Sequence, residues 1–246
     1  MIHPDWLTPD WTAPSGVRAF ATTRAGGVST GPYASLNLGT AVGDAPAAVA
    51  ANRARVRAAL PADPVWLKQV HGTRIVDASS CPPLTEADAS YTTARGVVCV
   101  IQVADCLPVL FTDRAGTMVA AAHAGWRGLV GGVLAAVTAQ YAEHGIAAGD
   151  LQAWIGPGIG VDAFEVGDEV HAEFTRDDAE AAVHFVRHGA TKWRADLHAL
   201  AQRALRRLGV TSIHGQPLCT VADPQRFFSY RRNRTTGRMA AFIWRD

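Results

Sequence analysis

The sequence predicts a mixed α/β (α+β) fold in which strands and helices alternate along one domain spanning residues 1–246. Continuous apolar runs of five to seven residues recur in the middle of the chain, which is typical of strands covered on both faces. Segments rich in alanine and leucine, with apolar residues three and four positions apart, are typical of helices. No composition shift or low-complexity linker separates two halves, so we expect a single domain.

The first third of the chain contains one clear strand signal and one clear helix signal. Residues 17–23 favour a strand, which ends at an Arg-Ala-Gly-Gly turn signal. Residues 46–60 open with proline and are rich in alanine, arginine and leucine, so they favour a helix. Two short extended segments separated by a His-Gly pair follow at residues 66–70 and 73–76.

The middle of the chain carries the strongest strand pattern. Apolar runs predict buried strands at residues 97–103, 108–112 and 117–122. The pattern then changes to a helix over residues 127–143, with Gly145 as the stop signal. Towards the C-terminus, similar patterns predict strands at residues 151–155 and 239–244 and helices at residues 167–175 and 195–208.

Charge and targeting signals exclude several classes of protein. Basic residues number 23 and acidic residues 22, and this net charge of +1 provides no basic surface for nucleic acid or a membrane. No apolar run reaches about 18 residues, and the first ten residues lack the charged and apolar regions of a secretory signal. The four cysteines contain no C-x-x-C pair, so we expect a cytoplasmic protein with reduced thiols.

Three motifs at predicted strand ends each offer one metal ligand: His71 in KQVHG, Cys106 in ADCLP and His123 in AHAGWRG. One cysteine and two histidines would give three protein ligands, and a catalytic zinc keeps its fourth position for water or substrate. The spacings of 35 and 17 residues form no compact ligand pair, so the pattern alone also fits isolated structural residues. It equally fits a Cys106 nucleophile with a histidine base, which alkylation would block and a chelator would not.

Three other motifs lack the context that their chemistry needs. Residues 27–31 match G-x-S-x-G, but a turn follows where a nucleophile elbow needs a helix. The glycine-rich residues 156–160 lack the G-x-G-x-x-G spacing of a dinucleotide site. His171 and Glu173 match the H-x-E of zinc nucleobase deaminases, but the P-C-x-x-C partner is missing.

Taken together, the motifs resemble the YfiH family, which has been described as multicopper polyphenol oxidase, as laccase-domain protein and as purine nucleoside phosphorylase. The resemblance runs in order over about residues 15–245. It rests on TTRAGGVSTGPYASLNLG (22–39), NR (52–53), WLKQVHGT (66–73), ADA (87–89), ADCLPVLF (104–111), AAHAGWRGL (121–129), IGPGIG with FEVG (155–167), and FFSYRR with TGRMAAFIW (227–244).

The resemblance implies a fold, a metal site and an activity. The family fold is a single sandwich-like domain of mixed β-sheets flanked by helices. The family binds zinc at the positions of His71, Cys106 and His123, and all three residue types are present. The implied activity is phosphorolysis of adenosine, inosine, guanosine or methylthioadenosine to base and pentose 1-phosphate, with deamination of adenosine in addition.

Further candidate site residues and alternative functions complete the prediction. Arg53, Lys68 and Arg231 are candidates for binding phosphate, and Asp105 is a candidate proton carrier or outer-shell partner of the metal. Alternative functions are a hydrolase that edits peptidoglycan precursors, a copper-dependent polyphenol oxidase and a non-enzymatic metal-binding module. Copper could bind the same ligands in vitro, but nine scattered histidines without an H-x-H pair are too few for a multicopper electron-transfer chain.

Overall fold

The computed structural model describes residues 2–246 and, within them, twelve strands and five α-helices. The strands are β1 (Val17–Ala21), β2 (Ile75–Asp77), β3 (Ala89–Thr92), β4 (Val98–Val103), β5 (Leu107–Asp113), β6 (Val119–Ala124), β7 (Leu151–Ile155), β8 (Glu165–Gly167), β9 (Phe185–Arg187), β10 (Lys192–Ala195), β11 (Ser212–His214) and β12 (Met239–Arg245). The helices are α1 (Pro46–Arg57), α2 (Trp126–Gly131), α3 (Val133–Glu143), α4 (Asp168–Thr175) and α5 (Leu197–Arg207). In residues 2–246, every helix is too short or too polar to span a lipid bilayer.

The strands form three sheets. The largest has the order β11-β7-β5-β6-β3-β2 and is mixed, since β11 runs parallel to β7 and β2 runs parallel to β3 while the other neighbours are antiparallel. The second sheet, β1-β12-β4, is antiparallel throughout. A small antiparallel sheet, β8-β10-β9, lies beside α4.

The two larger sheets pack face to face, and helices cover their outer faces. Ile101 and Ile243 of the three-stranded sheet share one buried cluster with Leu110 of β5. The neighbouring β5 residue Phe111 points to the opposite face, because strand side chains alternate, and packs in the cluster that includes α3 and α5. The outer face of the smaller sheet packs against Val56 of α1. This arrangement confirms the expected sandwich of mixed sheets flanked by helices.

The structure corrects the predicted elements in two places. The helix predicted for residues 127–143 is divided into α2 and α3 by Gly132, whose φ of 96° lies in the left-handed region and ends the first helix. Residues 66–70 do not form a strand and make only an isolated bridge between Lys68 and Glu86, while the next extended segment is displaced to β2.

Several short strands have no counterpart in the sequence prediction. These are β3, the three strands of the small sheet, and β11, and each has only three or four residues. Their strand conformation is determined by pairing with a neighbouring strand, because a segment of this length is too short to show a clear hydrophobic alternation. Strand β3 matters for the site described below, because it pairs with β6.

Candidate metal centre

Three side chains meet at one end of the six-stranded sheet. His71, Cys106 and His123 each offer one ligand atom, and these atoms lie within 4.8 Å of one another. Sγ of Cys106 lies 3.8 Å from Nε2 of His71, and the two imidazole rings meet edge to face with their centroids 4.8 Å apart. No second group of histidine, cysteine or acidic side chains within residues 2–246 has this geometry.

The sheet topology explains why residues distant in sequence meet here. Cys106 immediately precedes β5, and His123 is the last residue but one of β6, the antiparallel neighbour of β5. Asp88 immediately precedes β3 on the other side of β6, and its carbonyl accepts a hydrogen bond from the main-chain N–H of His123 at 2.7 Å. His71 comes from the loop before β2. The adjacent ends of β3, β5 and β6 and the loop before β2 therefore supply the site.

Asp88 holds the cluster together. Its fully buried carboxylate accepts hydrogen bonds from the main-chain N–H groups of Val70, His71 and Gly72 at 2.7–3.1 Å. The same carboxylate lies 2.8 Å from Nδ1 of His123. A histidine that donates from Nδ1 to a carboxylate has its Nε2 free to bind a metal. Asp88 therefore orients one ligand and fixes the loop that carries another.

Charges within the cluster shift the pKa values of Cys106 and His123. Burial alone raises the pKa of the Cys106 thiol, but the neighbouring His123 and His71 outweigh burial and lower this pKa to about 6. Burial lowers the pKa of His123, but Cys106 and Asp88 outweigh it and raise this pKa to about 9. The thiol is therefore ionised near neutral pH, as a metal ligand must be.

The close approach of the ligands depends on Gly125, the residue that precedes α2. A Cβ atom at this position would lie 2.8 Å from Sγ of Cys106 and 3.1 Å from Cδ2 of His71. Both distances are shorter than ordinary carbon contacts, so any larger residue would push the ligands apart. The glycine of the HAGWRG motif thus provides the space in which the cluster forms.

The donor set fits a resident metal ion. One thiolate and two imidazoles are the ligands that zinc and copper prefer. Zinc binds sulfur at about 2.3 Å and imidazole nitrogen at about 2.0 Å, and the 3.8 Å between Sγ and Nε2 is within reach of one such ion. Three protein ligands leave a fourth position for water or substrate, as in catalytic zinc sites.

The cluster opens into a cleft of about 830 Å³. Small-molecule sites occupy about 300–1,000 Å³ and combine apolar walls with a few polar groups. Apolar side chains on the helix side of this cleft are Trp126, Ile159, Phe164 and Leu197. The cleft therefore has the size and character of a substrate site with the candidate metal centre in its wall.

Unusual backbone conformations gather around the same cleft. Among residues 2–246, three non-glycine residues have positive φ, and all three line the cleft: His71 at 63°, Leu84 at 61° and Asp105 at 93°. Such conformations cost about 1–3 kcal/mol each and are concentrated at functional sites. Their position here is independent support for a functional cleft.

Two of the three phosphate candidates predicted from the sequence lie in the cleft wall. Lys68 lines the cleft, but its Nζ lies 2.6 Å from Oε1 of Glu86. Arg231 also lines the cleft and donates from Nη1 to the carbonyl of Glu165 at 2.9 Å. The guanidinium of Arg53 lies outside this wall and stacks 3.8 Å from the ring of Trp66.

Asp105 lies next to the metal candidates, but its carboxylate serves the surrounding loops. One oxygen accepts from the hydroxyl of Thr220 at 2.6 Å, and the other accepts from the main-chain N–H of Arg231 at 2.7 Å. Of the two roles predicted for Asp105, this geometry favours holding neighbouring groups over carrying a proton.

A family model described as multi-copper polyphenol oxidoreductase laccase matches residues 18–246. The chain belongs to this family. It is 50% identical over 241 residues to the protein named purine nucleoside phosphorylase YfiH of Escherichia coli (strain K12), with 97% of this chain and 98% of that protein covered. It is also 50% identical to a protein of Pseudomonas aeruginosa named a purine nucleoside phosphorylase, with the same coverage.

Solved structures of relatives in this laccase family have the same fold. A protein of Neisseria meningitidis matches with a TM-score of 0.92 at 49% identity, covering 98% of this chain and 99% of that one. YlmD of Geobacillus stearothermophilus matches with a TM-score of 0.93 at 33% identity, covering 100% and 97%. The resemblance to the YfiH family is thereby confirmed.

Sequence reasoning about this laccase-family chain missed three residues of the site. Asp88 lies in the ADA segment, but its role depends on strand β3, which was not predicted. Arg127 and Arg238 line the cleft and belong to the HAGWRG and TGRMAAF segments, in which only His123 was predicted to belong to the site. A basic residue inside such a motif is the signal that could have identified both.

Replacing Asp88 by asparagine is expected to lower zinc affinity by about 10- to 100-fold, the range typical for loss of an outer-shell partner. The amide cannot accept all four hydrogen bonds and would no longer fix the tautomer of His123. A competition titration against a chromophoric chelator measures the affinity. Asp113→Asn is the matched control, because Asp113 is also a buried carboxylate that accepts main-chain N–H groups, at the far end of β5. Equal affinities for both variants would contradict the assigned role.

Proposed function

We propose that this chain is a zinc-dependent purine nucleoside phosphorylase that also deaminates adenosine. The observation that carries the proposal is the Cys-His-His cluster, which opens into a nucleoside-sized cleft lined by cationic side chains. Relatives that are 50% identical over nearly the whole chain are named purine nucleoside phosphorylases, which supports the same reaction class.

In the proposed phosphorolysis, an oxygen of phosphate forms a bond to C1′ of the nucleoside and the bond from C1′ to the purine nitrogen breaks. The purine takes up a proton, and the products are free base and pentose 1-phosphate. In the proposed deamination, water and adenosine give inosine and ammonia. The substrates are a small-molecule nucleoside and phosphate; no nucleic acid or membrane partner is proposed.

The residues of the chain have distinct tasks in this proposal. His71, Cys106 and His123 would hold the zinc, which supplies Lewis acidity to the reacting groups when bound. Asp88 keeps Nε2 of His123 directed at the cluster. Asp105 holds the main chain of Arg231 at the cleft, so that cationic side chains there can bind phosphate.

The apolar wall of the cleft suits a purine base. The indole of Trp126 and the ring of Phe164 provide flat apolar surfaces on the helix side. Purines stack on aromatic rings, and such stacking is worth about 1–3 kcal/mol per base. We place the base on this wall and the pentose near the cluster. We also propose that residues 1–246 form a single domain and that the protein acts in the cytoplasm.

A second candidate function follows from the family's description. A copper-dependent oxidation of phenols would use the same cluster, since a thiolate and two imidazoles also bind copper. The three ligands form a single mononuclear group within residues 2–246, and this set falls short of the several copper centres of a multicopper oxidase. The phosphorylase proposal is therefore favoured.

Product analysis of the zinc-loaded protein tests the proposal. Inosine and adenosine are incubated separately with phosphate, and the bases and nucleosides are separated by chromatography. We expect hypoxanthine from inosine, and adenine together with inosine from adenosine. Oxygen consumption with a phenol, in place of base release, would support the oxidase and overturn the phosphorylase.

A further inference from the structure

Arg238 occupies an unusual position in the cleft wall. It is half-buried and lines the cleft just before β12. Among residues 2–246, no carboxylate oxygen lies within 4.0 Å of its nitrogens. Burial lowers the pKa of this guanidinium, because a buried cation without a partner is costly. Such a group is stabilised when an anion enters the cleft beside it.

The hydrogen bonds of Arg238 leave one edge of the guanidinium free. Nη1 donates to the carbonyls of Thr236 and Gly237 at 3.2 Å and 3.0 Å, which fixes the plane of the group. Nε and Nη2 have no acceptor among the described residues, and neither atom is sealed from solvent. These two nitrogens form the parallel pair of donors that binds two oxygens of a phosphate or carboxylate.

A buried polar network holds Arg238 in this orientation. Its main-chain N–H donates to Oδ1 of Asn37 at 2.8 Å. The amide nitrogen of Asn37 donates to Asp44 at 2.9 Å, and the amide nitrogen of Asn52 on α1 donates to the carbonyl of Asn37 at 2.9 Å. Ser29 of the G-x-S-x-G match belongs to the same network, where its hydroxyl donates to Asp44 at 2.6 Å. The network explains this motif without a nucleophile.

Gly39 completes the channel through which the Arg238 side chain runs. A Cβ atom at Gly39 would lie 2.8 Å from Cγ of Arg238 and 3.2 Å from its Cβ. A substitution there would displace the arginine near its base, where the side chain has little freedom to move aside. Gly39 therefore offers a way to disturb Arg238 without changing any charge.

The other cationic groups of the cleft are less suited to binding a dianion. Lys68 is paired with Glu86, and the pair is exposed. Arg127 is exposed and stacks 4.4 Å from the ring of Trp126. Arg231 is exposed as well, so water competes for its donors. Arg238 alone among the four combines partial burial, a fixed plane and a free donor edge.

We propose that Arg238 is the principal oxyanion-binding residue of the cleft and binds inorganic phosphate through its Nε–Nη2 edge. The choice of phosphate over another oxyanion rests on the proposed phosphorylase function, whereas the anion site itself rests on the geometry. Asn37 and Gly39 are positioning residues for this site.

Titration calorimetry with inorganic phosphate tests the site on zinc-loaded protein without nucleoside. Arg238→Met is expected to weaken phosphate binding by at least about tenfold, the scale of a lost charge-assisted hydrogen bond. Gly39→Ala should weaken it in the same direction, and Arg238→Lys should retain only part of the affinity because it lacks the planar edge. Arg231→Met should have a smaller effect than Arg238→Met.

Arg114→Met is the control for loss of one positive charge. Arg114 is exposed in the turn between β5 and β6, at the end of these strands opposite to the cleft. The Arg114→Met variant should bind phosphate as the wild type does. Thermal melting and metal analysis of each variant exclude loss of fold or zinc as the cause of weaker binding.

The outcomes separate this proposal from the proposed function. Unchanged phosphate affinity in Arg238→Met, a larger loss in Arg231→Met, or no phosphate binding by the wild type would each overturn the Arg238 site. Phosphate binding that depends on Arg238, in a protein that cleaves no nucleoside, would uphold the site and overturn the phosphorylase. Phosphorolysis with an unchanged KM for phosphate in Arg238→Met would uphold the phosphorylase and overturn the Arg238 site.

Discussion

Removing the metal is expected to abolish nucleoside cleavage and deamination together, and adding zinc back should restore both. Cys106→Ser should lose metal and activity in parallel, because a hydroxyl is a poor substitute for a thiolate ligand. We expect a loss of activity of more than about 100-fold, beyond the range for an outer-shell partner. Elemental analysis of the wild type should find close to one zinc per chain, since the described residues form one such cluster.

The alternative that Cys106 is a nucleophile predicts a different pattern. A thiolate bound to metal is shielded, so iodoacetamide should react slowly with the zinc-loaded protein and faster after chelation. Cys81→Ser is the control, because Cys81 is a partly buried thiol outside the cluster and should leave metal and activity unchanged. Full activity in chelated protein, together with none in Cys106→Ser, would establish the nucleophile and refute the metal site.

Omitting phosphate is expected to slow inosine cleavage by at least about 100-fold, because phosphate is the nucleophile in the proposed reaction and a positioned reactant is not readily replaced. The comparison needs phosphate-free buffer and protein dialysed against it. Restoring phosphate should restore the rate along a saturation curve. An equal rate without phosphate would identify a nucleoside hydrolase.

Incubation with inosine and, separately, with a muramyl precursor separates the remaining alternatives. A hydrolase that edits peptidoglycan precursors would release an amino acid from a muramyl precursor and would leave inosine intact. A non-enzymatic metal-binding module would turn over neither substrate, although it would still hold one metal per chain. The hydrolase is therefore recognised by a product that the proposed phosphorylase does not form, and the non-enzymatic module by the absence of any product.

The parts of the fold that were predicted from sequence are those whose pattern reflects burial. The strands predicted at residues 97–103, 108–112 and 117–122 correspond to β4, β5 and β6, which are mostly apolar and almost entirely buried. The order of strands in the sheets could not be predicted, because the pattern records that a strand is covered and not which strand covers it. Gly132 shows the limit for helices, since its left-handed conformation leaves no trace in the apolar periodicity.

The candidate site was predictable in its residue types but not in its geometry. The sequence presents His71, Cys106 and His123 as strand-end residues that could form a metal site, and the family resemblance favoured this over the other interpretations of the same residues. Asp88 was missed because its position follows from the pairing of β3 with β6. The stacking of Arg53 on Trp66 could not be predicted either, because it is a tertiary contact without a sequence signal.

Phosphorus-31 NMR of inosine, phosphate and zinc-loaded protein tests the central claim most directly, because it observes the bond that phosphorolysis forms. The proposed function predicts a growing signal from ribose 1-phosphate, equal in amount to the hypoxanthine released, and no such signal from the Cys106→Ser protein. Hypoxanthine released with free ribose, while the inorganic phosphate signal stays constant, would contradict it.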